Sequence, residues 1–454
     1  MNRLALLVAA TFFMEFLDAT ILTTALPKMG ESLHAAPVDL SAGVSIYALT
    51  LAIFILPSAW AVERFGARAI FTGAIVVFTL SSALCGFSTS AWFFIVARAL
   101  QGVGGAFMVP VGRLVVLRTT PKSDILRATA LLTWPGLTAP LIGPPLGGFL
   151  TEHLTWRAIF YVNLPLGIIG TILALLWTPV LEGGKAKPFD IKGFALAAAT
   201  LGAMLLALDA RGWRAAALAL FAFVSGWSFL RHLRGAAHPI VDFRPLRRAS
   251  FRLSLTGGSA ARAIIGSVPF LLPLMFQLGL GFDAARAGLT VAPLFVGNIG
   301  VKPFTTPILR QWGFRRVLIV NAALQAATLF ACAAIGPQSP PVWVAVLLCV
   351  SGASRSMHFT ALATLPFSET PPEEMGMANL IYSAAFQASF AFGVAIAAAL
   401  LKLGGLVAAA PLGPFRFAFI ALGLGMFAVM ANHARLAADA GEAVASRARS
   451  RART

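Results

Sequence analysis

LALLVAATFFMEFLDATILTTAL, residues 4–26, is an apolar run interrupted only by Glu15 and Asp18, and its reading decides the fold. An α-helix rises about 1.5 Å per residue, so roughly 20 apolar residues cross the ~30 Å hydrocarbon core of a bilayer. The run is too long for the apolar core of a secretory signal, contains two acids and lacks a small-residue cleavage site, so it reads as a retained first membrane span. Working outward, runs of similar size recur at 42–62, 69–89, 91–117, 126–150, 158–178, 192–209, 214–231, 254–278, 287–309, 316–336, 341–364, 376–401 and 413–433, which predicts fourteen spans. The connections are short and rich in Gly, Pro and charge, as in Glu63-Arg64-Phe65-Gly66 and Ser368-Glu369-Thr370-Pro371-Pro372. Only the stretch 232–253 is long enough for an amphipathic linker.

The composition agrees. Of 454 residues, 58% are hydrophobic and 11% charged, where a soluble domain carries about a quarter charged residues. The net charge of +18 would suggest a nucleic-acid partner on a soluble chain, but the basic residues are scattered between apolar runs rather than gathered into a patch, so no nucleic-acid partner is expected. With the N-terminus in the cytoplasm, the inside segments hold 23 Lys and Arg residues and the outside segments 7. That asymmetry predicts a multi-pass protein of the plasma (inner) membrane with both termini cytoplasmic. Cys85, Cys332 and Cys349 sit in apolar stretches, as small core residues rather than a disulfide framework.

An internal echo organises the chain. Gly66-Ala67-Arg68 follows the second span and Gly313-Phe314-Arg315 the tenth, at matching cytoplasmic turns. Two parallel six-helix halves with two inserted spans between them would give this spacing. The expected organisation is a six-helix bundle over 1–180, two inserted membrane helices over 181–232, a cytoplasmic linker over 233–253, a second six-helix bundle over 254–433, and a disordered basic cytoplasmic tail over 434–454.

Several motifs carry a family resemblance. Phe13-Met14-Glu15-Phe16-Leu17-Asp18-Ala19-Thr20-Ile21 leads to Ala25-Leu26-Pro27; Glu63-Arg64-Phe65-Gly66-Ala67-Arg68 forms a cytoplasmic loop; Arg98-Ala99-Leu100-Gln101-Gly102-Val103-Gly104-Gly105 lies in the fourth span; Gly143-Pro144-Pro145-Leu146-Gly147-Gly148 lies in the fifth; and Trp156-Arg157-Ala158-Ile159-Phe160-Tyr161-Val162-Asn163-Leu164-Pro165-Leu166-Gly167 opens the sixth. In this order they resemble the major facilitator superfamily, and within it the fourteen-span drug:proton antiporters of the EmrB/QacA type. Met108-Val109-Pro110-Val111-Gly112-Arg113 is similar to the MdtD-like branch of multidrug exporters. The resemblance implies an all-α polytopic membrane protein with that superfamily's fold, exporting small molecules in exchange for protons by alternating access. It implies a gating role for Glu63, Arg64, Gly66 and Arg68, and an antiporter motif at Gly143, Pro144, Gly147 and Gly148. The gating loop departs from the family pattern, with Glu63 where Asp is usual, Ala59 where Gly is usual and Ala67 in place of a basic residue.

Charge at membrane depth needs a partner, a wet cavity or a route to the interface. Within the spans lie five bases, Arg98, Arg113, Arg262, Lys302 and Arg355, and two acids, Glu15 and Asp18, three residues apart on one helical face. Counting helical rise, Asp18 lies about 12 Å and Arg98 about 10 Å below the outer ends of their helices, so the two can meet. Asp18 is therefore the leading proton-coupling carboxylate, with Arg98 its partner and Glu15 ranked second; a permanent structural pair is the competing reading. Arg262, Lys302 and Arg355, at depths of about 18, 22 and 21 Å, are expected to surround one substrate cavity together with His358 and Asn298. An excess of buried cations would favour an anionic substrate, and independent snorkelling to the interface is the bland alternative. Gln101, Asn163, Gln277, Asn298, Asn379 and Gln387 are expected mainly as interhelical hydrogen-bonding groups. No phosphate-cradling Gly loop, metal-ligand spacing or nucleophilic triad is present, so no enzyme activity, cofactor or metal is expected. The partners implied are protons, a small-molecule substrate and the lipid bilayer, and no motif identifies a periplasmic adaptor.

Overall fold

A chain passing through hydrocarbon has no water to satisfy its backbone, so each apolar run closes its hydrogen bonds internally and becomes a helix. The computed structural model describes residues 3–119, 125–180, 188–210, 212–408 and 410–441, the side chains at 117–119, 125–131, 133–137, 209 and 372 excepted. The helices are α1 (Arg3–Ile21), α2 (Leu26–Leu33), α3 (Pro37–Phe54), α4 (Ser58–Phe65), α5 (Ala67–Gly86), α6 (Ala91–Thr119), α7 (Ile125–His153), α8 (Ala158–Tyr161), α9 (Asn163–Trp177), α10 (Ile191–Asp209), α11 (Trp213–Gly235), α12 (Ala249–Leu274), α13 (Ala284–Gly300), α14 (Lys302–Ala333), α15 (Pro341–Thr364), α16 (Met375–Val407) and α17 (Gly413–Ala434). Proline opens α3 and α15 at the first turn, where its missing N–H would have no partner anyway.

Among the described residues twelve helices are long and apolar enough to cross a membrane, against the fourteen spans expected. The two that are missing are 126–150 and 287–309. The first corresponds to α7, part of which lies outside the described side chains, Gly136 included. The second divides at Val301 into α13 and the start of α14. Pro303 and Pro307 withhold two backbone N–H groups from the helix there.

The chain forms two compact units, the first comprising Met1–Val241 and Asp283–Gly288, the second Asp242–Phe282 and Leu289–Thr454. In the first, α1 packs on α7, α5 on α6 and α9, and α3 on α6. Phe71, Phe78, Met14 and Val115 lie fully inside that packing. α10 and α11 pack chiefly on each other and leave Phe221, Phe223 and Trp227 exposed, as lipid-facing helices do. Asp190 caps α10 by accepting from the Gly193 amide, and also accepts from the Ile240 amide at 3.1 Å and meets His232 at 2.7 Å. It thereby ties the start of α10 to the end of α11 and the chain beyond. In the second unit, α12 packs on α16 and α17, and α14 on α15 and α17.

The sequence echo has a backbone counterpart. Gly66, between α4 and α5, has φ 80° and ψ 148°; Gly313, where α14 breaks its helical path, has φ 73° and ψ 160°. A side chain disfavours such a conformation, which explains a glycine at both turns. The tail expected to be disordered from residue 434 is ordered as far as Gly441, with Leu436 and Ala440 buried; the remainder, 442–454, lies outside the described residues.

Candidate functional site

The acids of α1 meet α6 and α9 inside the first unit. Asp18 Oδ2 accepts from Arg98 Nη1 at 2.5 Å, while its Oδ1 accepts from Gln101 Nε2 at 2.9 Å and Asn163 Nδ2 at 2.8 Å. Arg98 Nη1 also donates to Gln101 Oε1 at 2.6 Å, Arg98 Nε donates to the Gly43 carbonyl at 3.3 Å, and the guanidinium lies 4.1 Å from the centre of the Tyr47 ring. Arg98 and Gln101 expose no surface, and Asp18 and Asn163 about one per cent. Helical spacing explains the convergence: Arg98 and Gln101 are three apart and share a face of α6, while Asn163 heads α9. Asn163 donates onward to Ser82 Oγ on α5, which donates to the Phe160 carbonyl. Gln101 and Asn163, expected as structural hydrogen-bonding groups, are thus direct partners of Asp18. Tyr47, Gly43 and Ser82 were not singled out from the sequence; the usable signal was that the chain holds only three tyrosines against 36 phenylalanines.

Glu15 is equally buried, but its Oε2 has no hydrogen-bond partner. Gly105 on α6 gives it room. A Cβ there would sit 3.6 Å from Glu15 Cδ and 3.3 Å from the Tyr47 hydroxyl, itself without a partner. One turn of α1 therefore carries two carboxyls in opposite circumstances, one filled by three donors and one with an open oxygen.

The antiporter motif presses α7 onto α1. A Cβ on Gly143 would lie 2.2 Å from Thr20 Oγ1, and one on Gly147 would lie 2.3 Å from the Ile21 carbonyl oxygen. Gly148 stands in the same relation to the Ala284 carbonyl, and the Pro144 carbonyl to Gly288, within the same unit.

In the gating loop the contact with a neighbouring helix is made by Arg68. Glu63 and Arg64 are exposed at the end of α4, and among the described residues Glu63 makes no ion pair. Arg68 instead donates to the Leu175 carbonyl in the last turn of α9. Arg315, its echo, donates to the Ala434 carbonyl at the end of α17 at 2.9 Å. Each unit thus uses the Arg two residues after its left-handed Gly to satisfy a helix C-terminus, where cations are favoured.

In the second unit, the five expected cavity residues separate into two groups. Arg262, Arg355 and Lys302 all make contacts between α15 and its neighbours: Arg262 Nη2 to the Leu362 carbonyl at 3.5 Å, Arg355 Nη1 to the Ile265 carbonyl at 3.4 Å, and Lys302 Nζ to Thr360 Oγ1 at 3.0 Å. His358 does not join them. It is fully buried, with its Nε2 3.2 Å from Nε2 of His433 on α17, a residue the sequence did not single out. Asn298 is half-buried on α13, with no hydrogen bond to any of the three cations among the described residues. Arg113 is exposed near the end of α6, where the sequence expected it to reach the interface. Among the described residues no group of three or more His, Cys, Asp or Glu side chains could hold a metal ion.

Residues 8–394 match the pattern of the Major Facilitator Superfamily. The chain is 37% identical over 406 residues to the "Putative multidrug resistance protein MdtD" of Pectobacterium carotovorum subsp. carotovorum, covering 87% of this chain and 86% of that protein. It is 37% identical over 411 residues to the protein of the same name from Escherichia coli (strain SMS-3-5 / SECEC), covering 88% and 86%. Two solved structures share the fold: an auto-inhibited POT family peptide transporter, with a TM-score of 0.68 at 16% identity over 96% of this chain and 98% of that one, and a bacterial homologue of the human lysosomal transporter Spinster, with a TM-score of 0.63 at 14% identity over 98% and 96%.

Proposed function

From the premise that this chain belongs to the Major Facilitator Superfamily, we propose that it is a secondary transporter for multidrug efflux, exchanging protons for exported small molecules by alternating access. Family membership and the identity with multidrug resistance proteins support the export reading. Its finer form is a fourteen-span antiporter of the EmrB/QacA type in the inner membrane with both termini cytoplasmic, which the charge asymmetry of the loops favours.

The observation that carries the proton coupling is the contrast within one turn of α1. Asp18 faces Arg98, Gln101 and Asn163, three donors that occupy both of its oxygens. Glu15, three residues earlier, has an oxygen facing no donor. Glu15 accordingly carries the exchanged proton in this arrangement, and Asp18 couples that proton to movement of Arg98. If Arg98 withdraws, Asp18 loses its counter-charge and becomes a proton acceptor in turn. Asn163 Oδ1, which has no partner, can then accept the proton of a neutral Asp18 after rotation of its amide.

The test is proton movement in proteoliposomes holding a pH-sensitive dye, on adding a lipophilic cation such as ethidium. Glu15→Gln should remain folded and lose substrate-driven proton movement while still exchanging substrate down its own gradient. Wild-type proton flux in Glu15→Gln would remove Glu15 from the mechanism. No proton movement with the wild-type chain, on adding either ethidium or an aromatic carboxylate such as naphthoate, would remove proton coupling altogether.

A further inference from the structure

The helices α12 to α17 contain no Asp or Glu, yet Arg262 and Arg355 are held inside them, Arg262 only 2% exposed. Their hydrogen bonds are two long contacts to carbonyls that already serve helix backbones. Arg262 Nε and Nη1 and Arg355 Nε have no partner at all. What the guanidiniums have instead are aromatic faces. Arg262 lies 4.6 Å from the ring centre of Tyr382 and 5.9 Å from that of Phe386, and Arg355 lies 5.1 Å from that of Phe359. The rings form a continuous series: Phe359 meets Phe386 edge-on at 6.3 Å, and Phe386 lies along Tyr382 at 6.5 Å. Arg355, Phe359, Tyr382 and Phe386 are each half-buried, so this wall is reachable, while Arg262 closes it from behind.

A cation–π contact returns only part of what taking a charge out of water costs. The rings therefore orient the two guanidiniums without balancing them. Nor do the histidines His358 and His433 supply a counter-charge, because an imidazole is neutral or positive and these two face each other. Lys302, held on Thr360 next to Phe359, adds a third cation to the same stretch of α15.

We propose that this wall in the second unit is a binding site for aromatic carboxylates, the ring lying against Phe359, Phe386 and Tyr382 and the carboxylate accepting from the half-buried Arg355 guanidinium, with the charge of Arg262 behind the rings. The assignment rests on the reading of this chain as an exporter and names its substrate class: planar anions rather than lipophilic cations. It also gives the aromatic residues a purpose that an anion site of Arg and Lys alone would not need.

Binding is measured by calorimetry on the full chain in lipid nanodiscs with four probes: naphthoate, naphthylmethanol, naphthylmethylammonium and cyclohexanecarboxylate. A charge-assisted hydrogen bond contributes about 1.5–3 kcal/mol, so naphthoate should bind at least about tenfold more tightly than naphthylmethanol, tenfold corresponding to about 1.4 kcal/mol. Cyclohexanecarboxylate should be weaker than naphthoate, and the ammonium weakest of all. Arg355→Gln should abolish the preference for the anion while Arg355→Lys retains part of it, and Phe386→Leu should abolish the preference for the aromatic ring. Equal binding of naphthoate and naphthylmethanol, tighter binding of the ammonium, or an unchanged preference in properly folded Arg355→Gln and Phe386→Leu would each overturn the proposal. Proton movement in proteoliposomes on adding naphthoate, and separately ethidium, separates the two levels. If it persists without any naphthoate preference, the aromatic-anion site fails and export stands; if naphthoate binds as expected but no tested substrate is exported, the site stands and export fails.

Discussion

Breaking the ion pair between α1 and α6 should expose how much of the first unit rests on it. In Asp18→Asn the Arg98 guanidinium keeps Gln101 Oε1 at 2.6 Å, the Gly43 carbonyl at 3.3 Å and the Tyr47 ring at 4.1 Å, but loses the carboxylate at 2.5 Å. The amide that replaces the carboxylate creates a conflict whichever way it turns. With its oxygen toward Gln101 and Asn163 it points an N–H₂ at Arg98, and in the other orientation it points that group at two amide donors. Removing one partner of a buried pair costs about 3–5 kcal/mol, and the contacts Arg98 retains place the loss near the lower figure. At roughly 2–4 °C per kcal/mol for units of this size, a loss of about 3 kcal/mol lowers the melting temperature by about 6–12 °C. Arg98→Gln should cost at least as much, because it leaves Asp18 as an uncompensated buried anion. The double variant Asp18→Asn/Arg98→Gln removes both charges and should be less destabilised than the two single losses added together, by about 1.5–3 kcal/mol. Thermal unfolding of the purified chain in one detergent, followed by the fluorescence of a thiol-reactive dye at the buried cysteines, measures all four corners of the cycle. Additivity within about 0.5 kcal/mol would refute the pairing as an energetic unit, and so would an Asp18→Asn cost below about 1 kcal/mol.

Two further perturbations follow from the geometry. A Cβ on Gly147 would sit 2.3 Å from the Ile21 carbonyl, a backbone atom that cannot turn aside, so Gly147→Ala must push α7 off α1; overpacking of this kind costs about 1–3 kcal/mol. A lower melting temperature and loss of export are expected there, whereas Gly73→Ala, where nothing lies within 4 Å, should leave both unchanged. Asp190 gives a pH signature. Desolvation by itself would raise its carboxyl, but the Gly193 and Ile240 amides and His232 together hold it below the ordinary 3.8. A depressed carboxyl contributes stability that is complete above its unfolded value and fades as the pH falls through its folded one. Asp190→Ala should therefore cost about 1–2 kcal/mol near neutrality, in the range of a lost helix cap with an added charge contact, and progressively less as the pH falls through the carboxyl's folded value. Hydrogen exchange at the amides of Gly193 and Ile240, wild type against variant across that range, reads it directly.

The helical class, the membrane setting and the pairing of Asp18 with Arg98 were legible because each follows from spacing along one helix or depth along two. Counting rise from the helix ends brought those residues to the same level, and the side chains meet there. The failures occurred where the answer depends on rotation about the helix axis, which depth does not report. His358 shares a helical face with Arg355 by its three-residue spacing, yet its ring turns into the unit to meet His433. The expected tenth span, 287–309, is divided at Val301 into α13 and the start of α14, a division that its hydropathy does not report. At the gating loop a motif reports the residue type at a turn and not the direction of its side chain; the contact with a neighbouring helix end is made by Arg68, and by Arg315 in the echo. The aromatic wall left almost no trace in the sequence, since Phe359 and Phe386 are two among 36 phenylalanines.

The net charge of +18 takes on a sharper meaning once the spans are divided between the two units. Every span acid belongs to the first unit, where Asp18 faces the Arg98 guanidinium and Glu15 keeps an oxygen with no hydrogen-bond partner among the described residues. The second unit has bases and rings and no span acid. A carboxyl can gain or lose a proton, whereas a guanidinium cannot change its charge in a protein, so the titrating span carboxyls belong to the first unit and the fixed charge of Arg262 and Arg355 to the second. On the proposed reading, proton coupling and substrate recognition are then assigned to different halves of a duplicated architecture. The first half changes charge when a proton moves, and the second offers an anion a site whose charge stays constant. An anionic substrate would complete the charge balance of the second unit as Asp18 completes that of Arg98 in the first. The consequence is asymmetric: a neutralising change at Glu15 should abolish proton coupling but leave naphthoate affinity intact, and a neutralising change at Arg355 should do the reverse.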